Sequence, residues 1–153
     1  MTDLDHSHFM RLALDEGRAG AAAGNPAIGS VIVRDGAVIG VGHNTVESRC
    51  DPTNHAETVA IRHACDSLKT TELPGTTLYT TMEPCPMCLW AICISGIDRL
   101  VMGARLRDLQ PLKVNYGRYS VETFLAMTEG RLDVVTGILS DECAELRRSQ
   151  STG

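Results

Sequence analysis

The chain has few aromatic residues, no surplus of positive charge and no long apolar segment. Aromatic residues make up 4% of the 153 residues, and the formal net charge is −5. This acidic balance argues against a protein that is drawn as a whole to nucleic acid or to an anionic membrane surface. No apolar run approaches the length of about 20 residues that is needed to cross a bilayer. We therefore expect no membrane partner.

The first residues also lack the pattern of a secretory signal. Met1 to Arg11 contains two aspartates and two histidines where a signal peptide requires an apolar core. We predict a cytoplasmic protein. The hydrophobic content of 43% is that of an ordinary globular protein, and the length suits one domain, which we assign to residues 1–153.

Apolar periodicity predicts alternating helices and strands. The β-rich runs lie at 28–33, 38–41, 76–81, 98–104 and 133–139, and the helical patterns at 8–23, 56–67, 86–95, 120–127 and 141–148. Thr53 or Asn54 is the expected N-cap of the second helix. Strands that are joined through helices should be parallel, so we predict an α/β fold, a three-layer α-β-α sandwich around a five-stranded mixed sheet. The segment 105–131 is predicted to be a loop over the functional site, followed by a short helix.

Two short motifs supply the chemistry. Cys85 and Cys88 flank a proline that suits the first turn of a helix, and this spacing places both thiols on one helical face. His55 is the candidate third ligand, and three protein ligands leave the fourth position of a Zn²⁺ ion open. Glu57 follows two residues after His55 and is a carboxylate that can move protons without binding the metal. The motifs therefore predict one catalytic zinc ion.

A zinc ion with two thiolates and one neutral imidazole acidifies its water less than an all-histidine site does, so a nearby base is needed. We predict that Glu57 accepts a proton from the attacking water and passes protons to the ring nitrogen and to the leaving ammonia of a cyclic amidine. The backbone N–H of Ala56 or Cys85 is the expected donor to the developing oxygen. Two alternatives remain: a structural zinc with four protein ligands, and a non-catalytic binding module that contains zinc.

An H-x-E motif followed by P-C-x-x-C is the signature of zinc-dependent nucleobase deaminases. From about Phe9 to Leu146 the chain resembles the cytidine-deaminase-like superfamily, in the branch of guanine deaminases, fungal-type cytosine deaminases and bacterial tRNA adenosine deaminases. The resemblance rests on these two motifs and on the segments 28–33, 42–44, 51–57, 78–81 and 83–88. It implies zinc binding by His55, Cys85 and Cys88, proton transfer by Glu57 and a base contact by Asn44. It also implies a homodimer or a higher oligomer in which the neighbouring subunit borders the pocket.

The substrate is the open question at this stage. The acidic balance and the absence of a Lys-Thr-Gly-Ala-like run after the fourth strand argue against a tRNA enzyme, although Arg105, Arg107, Lys113 and Arg118 offer a local basic group. Trp90 stands where relatives usually have glycine, and a tryptophan that narrows the pocket or stacks on the substrate favours a free base. The prediction is a deaminase of a small guanine- or cytosine-type base or nucleoside, with tRNA wobble adenosine as the alternative substrate.

Overall fold

The central strands carry apolar side chains on both faces, which requires a helical layer on each side. In the computed structural model, which describes residues 5–112 and 114–152, Val31 and Val33 lie in one buried apolar cluster and Ile32 lies in the other. Tyr79 and Leu78 divide in the same way. This alternation follows from the two-residue repeat of a strand.

Five strands form one mixed sheet. Strand β1 (Gly29–Arg34) makes an antiparallel hairpin with β2 (Ala37–His43) and also pairs antiparallel with β3 (Thr76–Met82). Strand β4 (Arg99–Ala104) is parallel to β3, and β5 (Asp133–Val135) is parallel to β4. The order is β2-β1-β3-β4-β5, and the strands that are joined through helices run in the same direction, as predicted.

Helices cover both faces of the sheet. Helices α1 (His6–Ala22) and α6 (Ser140–Arg148) pack on the cluster that contains Val31 and Val33. On the opposite face lie α3 (Ala56–Leu68), α4 (Pro86–Ile94) and α5 (Val121–Thr128). The three-layer α-β-α prediction is confirmed. Helix α2 (Val46–Arg49) occupies the loop after β2, where the sequence predicted no element.

One predicted strand was wrong in extent, and one helix is more exposed than its composition suggests, because a helix that is apolar all round is ordinarily buried. Strand β5 has 3 residues and does not reach Leu139, because the chain turns at Gly137 with φ +79° and again at Leu139 with φ +50°. Helix α4 is apolar nearly all round but is not buried on most of its surface, since Trp90 is 49% and Ile94 is 65% exposed. Such an exposed apolar face is typical of a surface that contacts a partner.

The helices of residues 5–112 and 114–152 are all too short or too polar to span a bilayer. The assignment of residues 1–153 to a single domain stays a prediction.

Candidate active site and metal centre

His55 and Cys85 occupy equivalent places, each as the N-cap residue of a helix. His55 has an extended conformation (φ −76°, ψ 158°) immediately before α3, and Cys85 has nearly the same (φ −70°, ψ 168°) before α4. Neither side chain caps its own helix, so both are free to point into a shared site. The prediction that Thr53 or Asn54 caps α3 was wrong, because the helix begins only after His55. Both helix N-termini offer partial positive charge to this site.

Two glycines on β2 bring the beginning of α3 onto the sheet. A Cβ atom added to Gly42 would lie 2.5 Å from the carbonyl oxygen of Ala56, and one added to Gly40 would lie 2.7 Å from that of Ala60. Any larger residue would push α3 away from the strand. The close approach places the end of β2 beside His55, and the backbone N–H of Thr45 donates to the carbonyl of Asn54 over 3.0 Å.

The three predicted ligands converge. The Nδ1 atom of His55 lies 3.5 Å from the Sγ atom of Cys85 and 3.5 Å from that of Cys88. All three ligand atoms lie within 4.8 Å of one another. In a tetrahedral site with ordinary zinc–sulfur and zinc–nitrogen bonds, a sulfur and a nitrogen ligand are about 3.6 Å apart. The donor set therefore fits zinc, and three donors leave one position for water or substrate.

The cysteine side chains are already polarised for metal binding. The Cys88 thiol, as a hydrogen-bond donor, and the His55 ring lower the pKa of Cys85 to about 4, against the opposing effect of burial. The same hydrogen bond and burial raise the pKa of Cys88. These directions favour the thiolate at Cys85, and because zinc is bound by thiolates, metal binding would also release the proton of Cys88.

Glu57 lies in the first turn of α3, beside these ligands, and only 4% of its surface is exposed. Burial is the largest cause that raises its pKa, while the Thr80 hydroxyl donates to its Oε1 atom over 3.0 Å and opposes that rise. A buried carboxyl group with a raised pKa, held in place by one donor, suits proton transfer at neutral pH.

A cavity of about 350 Å³ opens over Glu57 and the ligands. This volume lies within the range of small-molecule pockets. Its walls come from the loop before β1, the start of α2, the start of α3, the end of β3, the segment after β4 and helix α6. The lining residues are Pro26, Ile28, Asn44, Val46, Glu47, Pro52, His55, Glu57, Met82, Glu83, Cys85, Leu112, Val114, Tyr116 and Arg147.

Asn44 lies in the cavity wall, 3% exposed, and its side-chain carbonyl accepts a hydrogen bond from the backbone N–H of Val46 over 3.0 Å. This bond fixes the rotamer and leaves the amide NH₂ group for a substrate acceptor. Asn44→Ala is expected to raise KM by about tenfold or less, because the variant loses one neutral hydrogen bond to the substrate. Steady-state kinetics with the best substrate measures the effect.

The control for this prediction is Asn44→Asp, which keeps an oxygen for Val46 but has no NH₂ donor. If Asn44 contacts substrate, Asn44→Asp should impair the enzyme as Asn44→Ala does, with an unchanged melting temperature. Wild-type kinetics in Asn44→Asp would reduce Asn44 to a turn residue.

Trp90 and Arg105, which the sequence linked to substrate or phosphate binding, are not among the described residues that line the cavity. Trp90 is absent from the lining among the described residues, and its ring packs 6.2 Å from that of Phe124 on α5. The substrate contact of Trp90, and the preference for a free base that rests on it, stay predictions. Arg105 is not free to bind a phosphate, because its guanidinium donates to both Glu83 and Glu122. Lys113 lies outside the described residues.

Glu83 joins the metal ligands to the segment that covers the cavity. Its carboxylate accepts from the Arg105 guanidinium at 3.0 and 3.1 Å and from the backbone N–H groups of Leu106 and Val121, each at 3.0 Å. The Tyr119 hydroxyl also donates to the carbonyl of Pro84. Sequence reasoning missed this arrangement. A glutamate immediately before the P-C-x-x-C motif was the available signal.

The comparisons with known proteins agree with this site. Residues 4–104 match the family model described as the cytidine and deoxycytidylate deaminase zinc-binding region. A tRNA-specific adenosine deaminase of Agrobacterium fabrum is 40% identical over 145 residues, which cover 94% of this chain and 92% of the relative. A guanine deaminase of Bacillus subtilis is 47% identical over 90 residues, 58% of either chain.

Solved structures show the same two groups of relatives. A structure from a study of A-to-I editing by tRNA:A34 deaminases has a TM-score of 0.79 at 40% identity and covers 92% of this chain and 99% of its own. The guanine deaminase of Nitrosomonas europaea has a TM-score of 0.86 at 28% identity, over 96% and 85% of the two chains. With the family match spanning both motifs, the chain belongs to the cytidine and deoxycytidylate deaminase family of zinc-binding enzymes.

Proposed function

We propose that this protein hydrolyses the exocyclic amino group of adenine at the wobble position of tRNA, releasing ammonia. The observation that carries the reaction type is the buried Glu57 carboxyl group beside the His55, Cys85 and Cys88 triangle. Full-length similarity to tRNA-specific adenosine deaminases supports the substrate. These relatives favour the tRNA alternative over the free base that the sequence predicted.

The chain's residues account for each proton in the reaction. A zinc ion held by His55, Cys85 and Cys88 would supply Lewis-acid activation of water. Glu57 takes one proton from the attacking water and delivers it to the ring nitrogen next to the attacked carbon. It then takes the second proton, from the hydroxyl group now on that carbon, and passes it to the amino group as the C–N bond breaks. The N–H of Ala56, at the N-terminus of α3, is the proposed donor to the oxygen that develops on the attacked carbon. The products are a ring carbonyl, as in inosine, and ammonia.

Free guanine is the second candidate substrate. The closer superposition on a guanine deaminase, with a TM-score of 0.86, favours it, as does the pocket of about 350 Å³, which accommodates a single base. Asn44 is proposed as a base contact in either case. A role of Trp90 in the substrate site of its own subunit is not part of the proposal.

Association as a homodimer is part of the proposal. Met87, Trp90 and Ile94 form an exposed apolar face on α4, the helix that carries Cys88, and a second copy of the chain would bury that face. A partner there would approach the metal centre from behind α4, and the mass of the purified protein in solution is the direct check. The cytoplasmic location stays a prediction.

The discriminating experiment measures ammonia release by the zinc-loaded protein, with Glu57→Gln as the blank. The substrates are an anticodon stem-loop with adenosine at the wobble position, the same stem-loop with guanosine there, free guanine, cytosine and adenosine. Turnover of the adenosine stem-loop well above that of every free base supports the proposal. Turnover of guanine alone would replace the proposed substrate with the second candidate. No ammonia from any of them would contradict both.

A further inference from the structure

Arg147 is a cation in the cavity wall that forms no ion pair and no hydrogen bond with any side chain in residues 5–112 and 114–152. It lies on α6, remains partly exposed, and lines the same cavity as Glu57 and His55. Its Nε atom is buried and makes no hydrogen bond in the described part of the chain. The next residue, Arg148, is by contrast engaged, since it donates to the carbonyl of Asp108 over 2.6 Å.

The two residues Arg148 and Gln150 fasten the chain directly after Arg147. Gln150 donates to the carbonyl of Asn25 over 2.8 Å and accepts from the backbone N–H of Ala27. These residues flank Pro26, which itself lines the cavity. Together with the Arg148 bond, these contacts fix the backbone from which the Arg147 side chain extends. A guanidinium positioned in advance loses less entropy when it binds.

The charges around Arg147 leave it unneutralised. Glu83 is occupied by four donors, and Glu57 is buried at the metal centre. Glu47 lines the cavity but forms no ion pair with Arg147 among the described residues. Arg147 and Tyr116 line the same cavity, and the positive charge of Arg147 opposes the rise that burial causes in the pKa of Tyr116.

We propose that Arg147 binds a backbone phosphate of the RNA whose base enters the cavity. The inference rests on the proposed tRNA function. A guanidinium presents parallel N–H donors that match a phosphate, and its affinity for an anion is greatest where no carboxylate already occupies it. Because Arg147 is more exposed than the buried Glu57, a base at the metal centre would leave its own or an adjacent phosphate at this outer wall. Arg147 thus supplies locally the positive charge that the acidic chain lacks overall.

The test uses binding, so that it does not depend on turnover. In the zinc-loaded Glu57→Gln protein, Arg147→Ala should weaken binding of the wobble-adenosine stem-loop about tenfold or more, as expected for a charged hydrogen bond. The slope of the logarithm of affinity against the logarithm of salt concentration should fall by about 0.7, the effect of one lost phosphate contact on a single strand.

The matched control is Arg148→Ala, which removes the same charge from the same helix. It should leave stem-loop affinity within about twofold of the parent, because Arg148 contacts Asp108 and not the cavity. Equal losses in the two variants would overturn the inference, since only general charge would then matter. No loss in Arg147→Ala would also overturn it.

A second measurement separates this inference from the proposed function. If the wild-type protein deaminates guanine and not the stem-loop, the tRNA proposal fails. The role of Arg147 is then tested with guanosine 5′-monophosphate as an inhibitor of guanine turnover, because this nucleotide carries a phosphate on the same base. Inhibition that weakens about tenfold in Arg147→Ala supports a phosphate site. Equal inhibition of both proteins, or none in the wild type, contradicts it. A parallel increase in KM for guanine itself would assign Arg147 to the base and contradict the phosphate site as well.

Discussion

Replacing Glu57 with glutamine is expected to abolish turnover while the protein keeps its full zinc content. Glutamine matches the shape of the buried side chain and can still accept the hydrogen bond from Thr80, but it cannot take up or deliver a proton. Because one carboxyl group serves every proton transfer in the reaction, we expect a loss of roughly 10⁴-fold or more in kcat. The measurement is ammonia release at saturating substrate, paired with metal analysis of the same sample.

The control for this variant is Glu72→Gln, which makes the same change on the exposed surface. It should keep wild-type turnover. Retained turnover in Glu57→Gln would remove Glu57 from the mechanism. Loss of zinc in Glu57→Gln would instead mean that the carboxylate belongs to the metal ligands.

Replacing Cys88 with alanine is expected to release the zinc and to lower the melting temperature. Cys88 is fully buried at the start of α4, and its Sγ atom is one of the three donors around the predicted metal position. With two donors left, affinity should fall below what survives dialysis against a chelator, and the stabilisation that bound metal contributes is lost with it. Zinc stoichiometry and thermal unfolding with and without added zinc measure both effects.

Cys93→Ala is the matched control, on the same helix and partly buried, but outside the ligand group. It should keep one zinc ion per chain and show only the modest loss of stability that follows from a smaller side chain. A fully metallated and stable Cys88→Ala protein would contradict the ligand assignment.

Much of the metal centre could be predicted because its signals are local. Cys85 and Cys88 are three residues apart at the start of a helix, a spacing that places both on one face, and His55 and Glu57 stand together at the start of another helix. The alternation of apolar residues in the strands likewise determined the sheet and its helical layers. No long-range information was needed for either.

The cavity wall could not be predicted because it depends on tertiary contacts. Leu112, Val114 and Tyr116 follow no helical or strand period, and their segment is held over the site by bonds to Glu83 from distant backbone groups. Arg147 belongs to α6, whose sequence, with acidic residues in the first turn and basic residues in the last, is typical of an ordinary surface helix. The exposure of Trp90 could not be predicted, because the sequence of a helix that is apolar all round does not reveal which of its faces points inward.

The carboxylate of Glu83 also limits how the substrate range of this fold can be altered by loop exchange. A covering segment transplanted from a relative would bring new pocket walls, but one that lacks a cation at position 105 and follows another backbone path would withdraw the donors that Arg105, Leu106 and Val121 now supply to Glu83. Glu83 would then be a buried charge without partners, only 4% exposed and two residues before a zinc ligand. Unpairing a buried charge costs about 3–5 kcal/mol, a large share of the stability of a domain of this size. A successful chimera would therefore have to bring its own cation for Glu83 or replace that glutamate at the same time.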